Sequence, residues 1–256
     1  PAPEQKKNIL TKFLTASEEE DVTHIAFINK KTPETSSWTY AHELGRLYLK
    51  DAFHGRVRTK AYDNISDTED AVAAIEQAIA DGNEMIFTTS PEFLSASLRV
   101  AVNHPEIKIL NCSLNASHKY IRTYYGRMYE AKFLIGVLAG VMTDTNKIGY
   151  IADYPIFGMT ANINAFALGV KMVNPKAKIY LEWSTLKENE HIDLTAKLYS
   201  LGATYISHQD MIIPRKISRQ FGLFRVNGET PVNLAFPAWN WGKYYERIIR
   251  NVQNGI

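Results

Sequence analysis

The sequence predicts an α/β protein of two lobes, each a mostly parallel sheet covered by helices. Three observations lead there. Short apolar runs of strand length alternate with amphipathic stretches of helical spacing. At least nine such runs fall within 256 residues, which suits two sheets better than one. The polar turn Thr143-Asp144-Thr145-Asn146-Lys147 also separates a small-residue helix from a new buried strand, as expected where a chain leaves one lobe for another. Two hinged lobes enclose a cleft, and clefts bind small molecules.

Residues 1–21 are polar, end in Ser17-Glu18-Glu19-Glu20-Asp21, and are expected to be a linker or N-terminal extension. Thr23–Ile28 is an apolar first strand that stops at the loop Asn29–Pro33. In Trp38–Asp51 the residues Tyr40, Leu44, Leu47 and Tyr48 recur at helical spacing, and a second strand, Val57–Tyr62, follows His54-Gly55. Thr68–Asp81 is a helix with Val72, Ile75 and Ile79 inward, stopped by Asp81-Gly82-Asn83. Strand Met85–Thr88, helix Ser90–Asn103, strand Ile107–Asn111 and helix Met128–Met142 continue the alternation. After the turn come strand Ile148–Ala152, helix Ala161–Val173, strand Lys178–Trp183, helix Asn189–Leu201, strand Thr204–Ser207 and helix Ile213–Phe221. Short strands near Gly222–Val226 and Val232–Phe236 precede a last helix, Trp241–Val252.

Composition excludes several classes. The 29 basic and 27 acidic side chains are dispersed, so nothing resembles the electrostatic footprint of a nucleic-acid binder. One cysteine, Cys112, allows no internal disulfide and no CxxC metal site. The histidines form no HxxxH or HExxH pair, and no metal or cofactor is expected. No run approaches the ~20 apolar residues of a membrane span. The chain starts at Pro1 without an initiator Met or a signal-type apolar core, and is expected to be a processed or excised piece of a longer one.

In open α/β sheets ligands bind outside the carboxyl ends of the strands, so the loops there carry the candidates. They are Ser37 and Trp38 after the first strand, Ser90 and Phe93 after the third, and Ile156 and Phe157 in Asp153–Gly158. Trp183, Asp210 in His208-Gln209-Asp210, and Asn240 and Trp241 near the end complete the set. Hydroxyls, amides and aromatics with few net charges suit a neutral planar ligand, stacked on rings and hydrogen-bonded at its edge. Bland roles compete with each. Trp38 and Trp241 are large enough to be core, and the serines, Asp153 and Asp210 are good helix caps. Catalysis has little support, because GxSxG, GxxxxGK[ST] and GxGxxG are all absent.

Tyr125-Gly126-Arg127-Met128-Tyr129-Glu130-Ala131, with Gly136, Gly140 and Met142, resembles the basic membrane protein family. These are substrate-binding lipoproteins of ABC transporters related to the bacterial purine-nucleoside receptor. The likeness continues through Thr145–Tyr150, Asn164–Gly169 and Val173-Asn174-Pro175, and reaches Ser37–His42 and Asn240–Tyr245, about residues 22–256 in all. It implies a type I periplasmic-binding-protein fold of two Rossmann-like lobes, the first at 22–143 plus 230–256 and the second at 144–229. It further implies a non-enzymatic, monomeric receptor that feeds an ABC permease from outside the cytoplasm, anchored as a lipoprotein. A purine would stack on Trp38 and Phe157 beside Ile156, with polar contacts from Ser90, Asp210 and Asn240. Nucleoside-binding relatives carry an acid and an Asn around the first aromatic, where this chain has Glu34 and Thr39. Where many place a Lys for the ribose, it has Trp239-Asn240-Trp241. These departures point to a free base. A ligand-sensing module within a larger multidomain protein is the competing expectation on the same fold, and an enzyme acting on nucleosides is a third.

Overall fold

The computed structural model describes residues 22–115, 117–153, 157–213, 215–216, 218–227 and 230–255. These divide into two compact units, one running to Tyr125 and resuming at Asn240, the other spanning Gly126–Trp239.

The first unit is a five-stranded, wholly parallel sheet in the order β2-β1-β3-β4-β5. Its strands are β1 Thr23–Ile28, β2 Val57–Tyr62, β3 Met85–Thr88, β4 Lys108–Cys112 and β5 Ile121–Tyr124. Its helices are α1 Ser37–Phe53, α2 Thr68–Ala80, α3 Leu94–Asn103 and α7 Trp241–Gln253. Strand β3 is buried at every position (MIFT), as a central strand covered on both faces must be. On one face Ala26, Ile28, Ile86 and Ile109 meet the alanine-rich side of α2 and the Ala96–Val100 side of α3. Against the other face α7 brings Tyr245, whose ring lies 5.0 Å from Phe27 and 4.6 Å from Phe87. Helix α1 joins α7 so closely that a Cβ on Gly45 would lie 2.8 Å from Trp241 Cβ.

The second unit has the order β10-β9-β8-β6-β7. Its strands are β6 Lys147–Ala152, β7 Lys178–Trp183, β8 Tyr205–Ser207, β9 Leu223–Arg225 and β10 Val232–Ala235. The pairs of β6 with β7 and β8 are parallel, whereas β8–β9 and β9–β10 are antiparallel. Helices α4 Met128–Met142 and α5 Phe157–Val173 cover one face through Ile135, Ala139, Phe166 and Val170. Helix α6 Leu194–Ser200 covers the other through Leu194 and Leu198.

Several expectations need correction. The short strand β5 lies in a stretch for which the sequence predicts no element. Its sequence, IRTY, has too little apolar pattern to announce itself, and pairing with β4 creates it. Expected helix Asn189–Leu201 starts only at Leu194, where the Asp193 side chain caps it by accepting from Ala196 N; a 3-10 turn at Lys187–Asn189 precedes it. Among the described residues of 213–221 there is no helix. Helix α4, expected to end the first lobe, is part of the second unit. Its glycines decide that: a Cβ on Gly136 would overlap the Phe166 carbonyl of α5, and one on Gly169 of α5 would overlap the Phe133 carbonyl of α4. The two backbones touch there.

Candidate ligand-binding site

Each sheet has a topological switch point, where connections leave a central strand in opposite directions and their loops part to form a crevice. In the first unit it falls between β1 and β3, and in the second between β6 and β8.

At the first switch point Trp38 opens α1, after the Ser36 cap accepts from Thr39 N. The half-buried indole donates Nε1–H to the carbonyl of Thr89, just past β3, at 2.7 Å. Its ring leans edge-on against His42 (4.8 Å, 74°) and Trp241 (5.9 Å, 78°) and lies offset against Tyr125 (6.1 Å, 24°). Behind it, His42 stacks on Trp241 at 4.6 Å and hydrogen-bonds Tyr245 OH through Nδ1 at 2.5 Å. Burial holds the His42 imidazole down at about 3, so the whole aromatic wall is uncharged near neutrality. Beside it, Thr89 Oγ1 donates to Asn29 Oδ1, and Asn111 Nδ2 donates to Thr88 Oγ1 and the Ser90 carbonyl. Asn111 Oδ1 and Ser113 Oγ, both buried at the end of β4, have no hydrogen-bond partner among the described residues.

At the second switch point the polar groups are charged. Lys132 of α4, only 2% exposed, ion-pairs with Asp210 beyond β8. Its ammonium also reaches Ser207 Oγ at 3.4 Å and lies 5.3 Å from the centre of the Tyr150 ring. Burial raises the Asp210 carboxyl above the usual carboxylate range, Lys132 opposes that rise, and Asp153 adds to it. Asp153 follows β6 and accepts from Ser184 Oγ at 2.6 Å, because the register sets Ala152 beside Trp183. Burial lowers the neighbouring His208 imidazole.

The candidates therefore separate. Trp38 and Ser90 lie at the first switch point and Asp210 at the second. Ser37 is the half-buried first residue of α1, next to the cap. Phe93 is wholly buried in the core against α2 and α3, and Trp241 is 4% exposed behind Trp38, so each acts by packing. Trp183 is half-buried against the α4–α5 core, its carbonyl accepting from Asn189 Nδ2 at 2.9 Å. Asn240 is exposed and caps α7, accepting from Lys243 N at 3.4 Å. Ile156 lies outside the described residues, and Phe157 is described only as the first residue of α5. Sequence reasoning missed Lys132. The signal was present: Met128, Lys132, Ile135, Gly136 and Ala139 form the buried stripe of α4, and a lone Lys in such a stripe demands a partner.

Burial pushes the Cys112 thiol up, away from the nucleophilic thiolate. Among the described residues no three His, Cys, Asp or Glu side chains gather into a metal site, and no helix is long and apolar enough to cross a membrane.

The family model Bmp, described as ABC transporter substrate-binding protein PnrA-like, matches residues 22–213. The chain belongs to this family. A purine-binding protein of Brucella abortus is 27% identical over 251 residues, covering 94% of this chain and 71% of that protein. A putative ABC transporter glucose-binding protein of Haloferax volcanii is 24% identical over 228 residues, covering 85% of this chain but only 58% of the relative. Among solved structures, an ABC transporter solute-binding protein of Conexibacter woesei superposes with a TM-score of 0.69 at 15% identity, over 91% of this chain and 81% of that one. That likeness establishes the Bmp chain as type I periplasmic-binding-protein-like in fold. The expected family and fold class are borne out.

Proposed function

We propose that the chain is the solute-receptor part of an ABC import system and binds a neutral purine, with a free base preferred to a nucleoside. The observation that carries this reading is Trp38. Its indole N–H donates to the Thr89 carbonyl, which fixes the ring at the carboxyl end of β3, where an aromatic side chain suits a planar heterocycle. The unpartnered Asn111 Oδ1 and Ser113 Oγ supply acceptors of the kind that read N–H edges. In the second unit Asp210 is an acceptor for ligand N–H or O–H groups whose charge Lys132 already balances, which favours a neutral ligand over a cationic one. The purine-binding relative from Brucella agrees with this reading. Delivery to a permease from outside the cytoplasm is the role that family membership supports.

Purified protein, stripped of ligand by partial unfolding and refolding, is to be titrated calorimetrically with adenine, hypoxanthine, guanine, adenosine and glucose. Saturable binding of a base, weaker with the matching nucleoside, is the expected result. Binding of glucose with silence from every purine would replace this reading with a sugar receptor, in line with the Haloferax relative. Silence from the whole panel would remove the reading altogether.

A further inference from the structure

A cavity of about 500 Å³ opens in the first unit, at the end of the sheet away from Trp38. It is lined from the amino-terminal halves of β4 and β5, the segment Ser117–Tyr120 before β5, and the last turns of α7. Ligands of the ordinary α/β site meet the carboxyl ends of the strands, so this space lies outside that site.

Its lining is sorted by chemistry. Ile107, Leu110, Ile248 and Val252 make apolar walls from the sheet and from α7, with the half-buried Tyr120 ring at one side. Lys108, His118, Lys119 and Arg122 line the same space and are exposed, and no carboxylate is among the lining residues. Among the described residues the ion pairs leave out Lys108, Lys119 and Arg122. The Lys119 ammonium is instead 5.1 Å from the centre of the Tyr120 ring, and His118 stands 5.9 Å from the same ring. The Asn251 side chain lies on the α7 side. Other exposed basic groups of this unit do find acids, Lys60 with Asp81 and Arg99 with Glu69, while Lys50, Arg56 and Arg58 are, like these, absent from the ion pairs among the described residues. Like charges gathered around one concave, partly apolar space without counter-charge repel one another, and an anion bound there relieves that repulsion.

We propose that this cavity is a second binding site, taking an organic anion: a carboxylate, sulfonate or phosphate carried on an apolar or aromatic body. The charged group meets Lys119 and Arg122, with Lys108 flanking. The body lies between the β4–β5 surface and α7, where water is displaced from the partly exposed Ile107, Ile248 and Val252. A volume of this size falls within the range of small-molecule pockets.

The probe is 8-anilinonaphthalene-1-sulfonate, an aromatic sulfonate whose fluorescence rises in apolar surroundings, titrated into the 256-residue chain. Saturable binding that weakens with added salt is expected. The double charge reversal K119E/R122E changes two exposed side chains, so the thermal midpoint stays put while dye affinity falls by about 10-fold or more. Trp38→Ala leaves dye affinity unchanged, and adenine does not displace the dye. Decanoate or adenosine monophosphate displaces it, and which one does so at lower concentration tells an acyl from a nucleotide source. The proposal is overturned if the dye does not bind, if K119E/R122E binds it as well as the wild type, or if adenine competes. Displacement by inorganic phosphate as readily as by either organic anion would also overturn it, since the apolar walls would then contribute nothing.

Discussion

Lys132 and Asp210, 78 residues apart in sequence, form an ion pair in which the lysine is 2% and the aspartate 19% exposed. A cation so deeply buried survives only with its partner in place. The pair lies where β6 and β8 part, so whatever orients Asp210 there also sets what it can offer a ligand.

Lys132→Met should therefore destabilise the fold by about 3–5 kcal/mol, the cost of leaving one member of a buried pair uncompensated. Urea unfolding measures it. Restoring neutrality with the double variant K132M/D210N should recover most of the loss. A single variant as stable as the wild type would show that the pair contributes nothing.

The pH dependence of ligand affinity should carry the signature of Asp210. Its carboxyl is raised by burial, so affinity that depends on the ionised form falls as pH drops through that raised value, above the ordinary 3.8. Asp210→Asn should bind more weakly at neutral pH and lose this acid limb. For folding the sign is reversed: the folded chain holds the proton more tightly, so Asp210's contribution becomes less favourable as pH rises from 3.8 through the raised value. Calorimetry at successive pH values checks the first statement, and pH-dependent melting of the two proteins the second.

Trp38→Ala should weaken purine binding by about 10-fold or more, the worth of one base–aromatic stack. Trp38→Phe keeps a face but loses the N–H bonded to Thr89, and should retain more affinity than the alanine variant. Equal affinity in all three proteins would remove Trp38 from the site.

His42 makes a separate prediction about stability. Burial lowers its imidazole from 6.5 to about 3, so the unfolded chain binds a proton between those values and the folded chain does not. Stability from this residue is full above pH 6.5 and is lost as pH falls below it, at about 1.4 kcal/mol per pH unit. His42→Gln should be less stable at neutral pH but flatter between pH 6.5 and 4.5. Parallel melting curves across that range would contradict it.

The α4–α5 contact can be tested through its glycines. Gly136→Ala drives a methyl into the Phe166 carbonyl, backbone that cannot swing aside, and should cost about 1–3 kcal/mol or more. Gly82→Ala, with open space around the new Cβ but a φ of +86°, should cost less and only through backbone strain.

Much of the local structure was legible. Val57–Tyr62, Met85–Thr88, Met128–Met142 and Lys178–Trp183 have the expected bounds, since turn-forming polar residues follow each run and stop it. The weak strand Ile121–Tyr124 was not legible, being made by its neighbour rather than by its own pattern. Of the candidate residues, Trp38, Ser90 and Asp210 lie at the switch points because strand-end loops can be found from strand ends. Phe93 and Trp241 followed the same rule into the core, because position after a strand says nothing about which way a side chain turns.

The sequence by itself determined the alternation of strand and helix, the α/β class, and the aromatic and hydroxyl-rich character of the first unit's strand-end loops. These are properties of short windows, set by spacing and capping. Tertiary structure alone decided the orders β2-β1-β3-β4-β5 and β10-β9-β8-β6-β7, and with them where each crevice opens. It also decided that Lys132 meets Asp210 and that α4 joins α5 through Gly136 and Gly169. Strand pairing, buried charge and helix contact depend on partners far along the chain, and local periodicity carries no record of which partner wins.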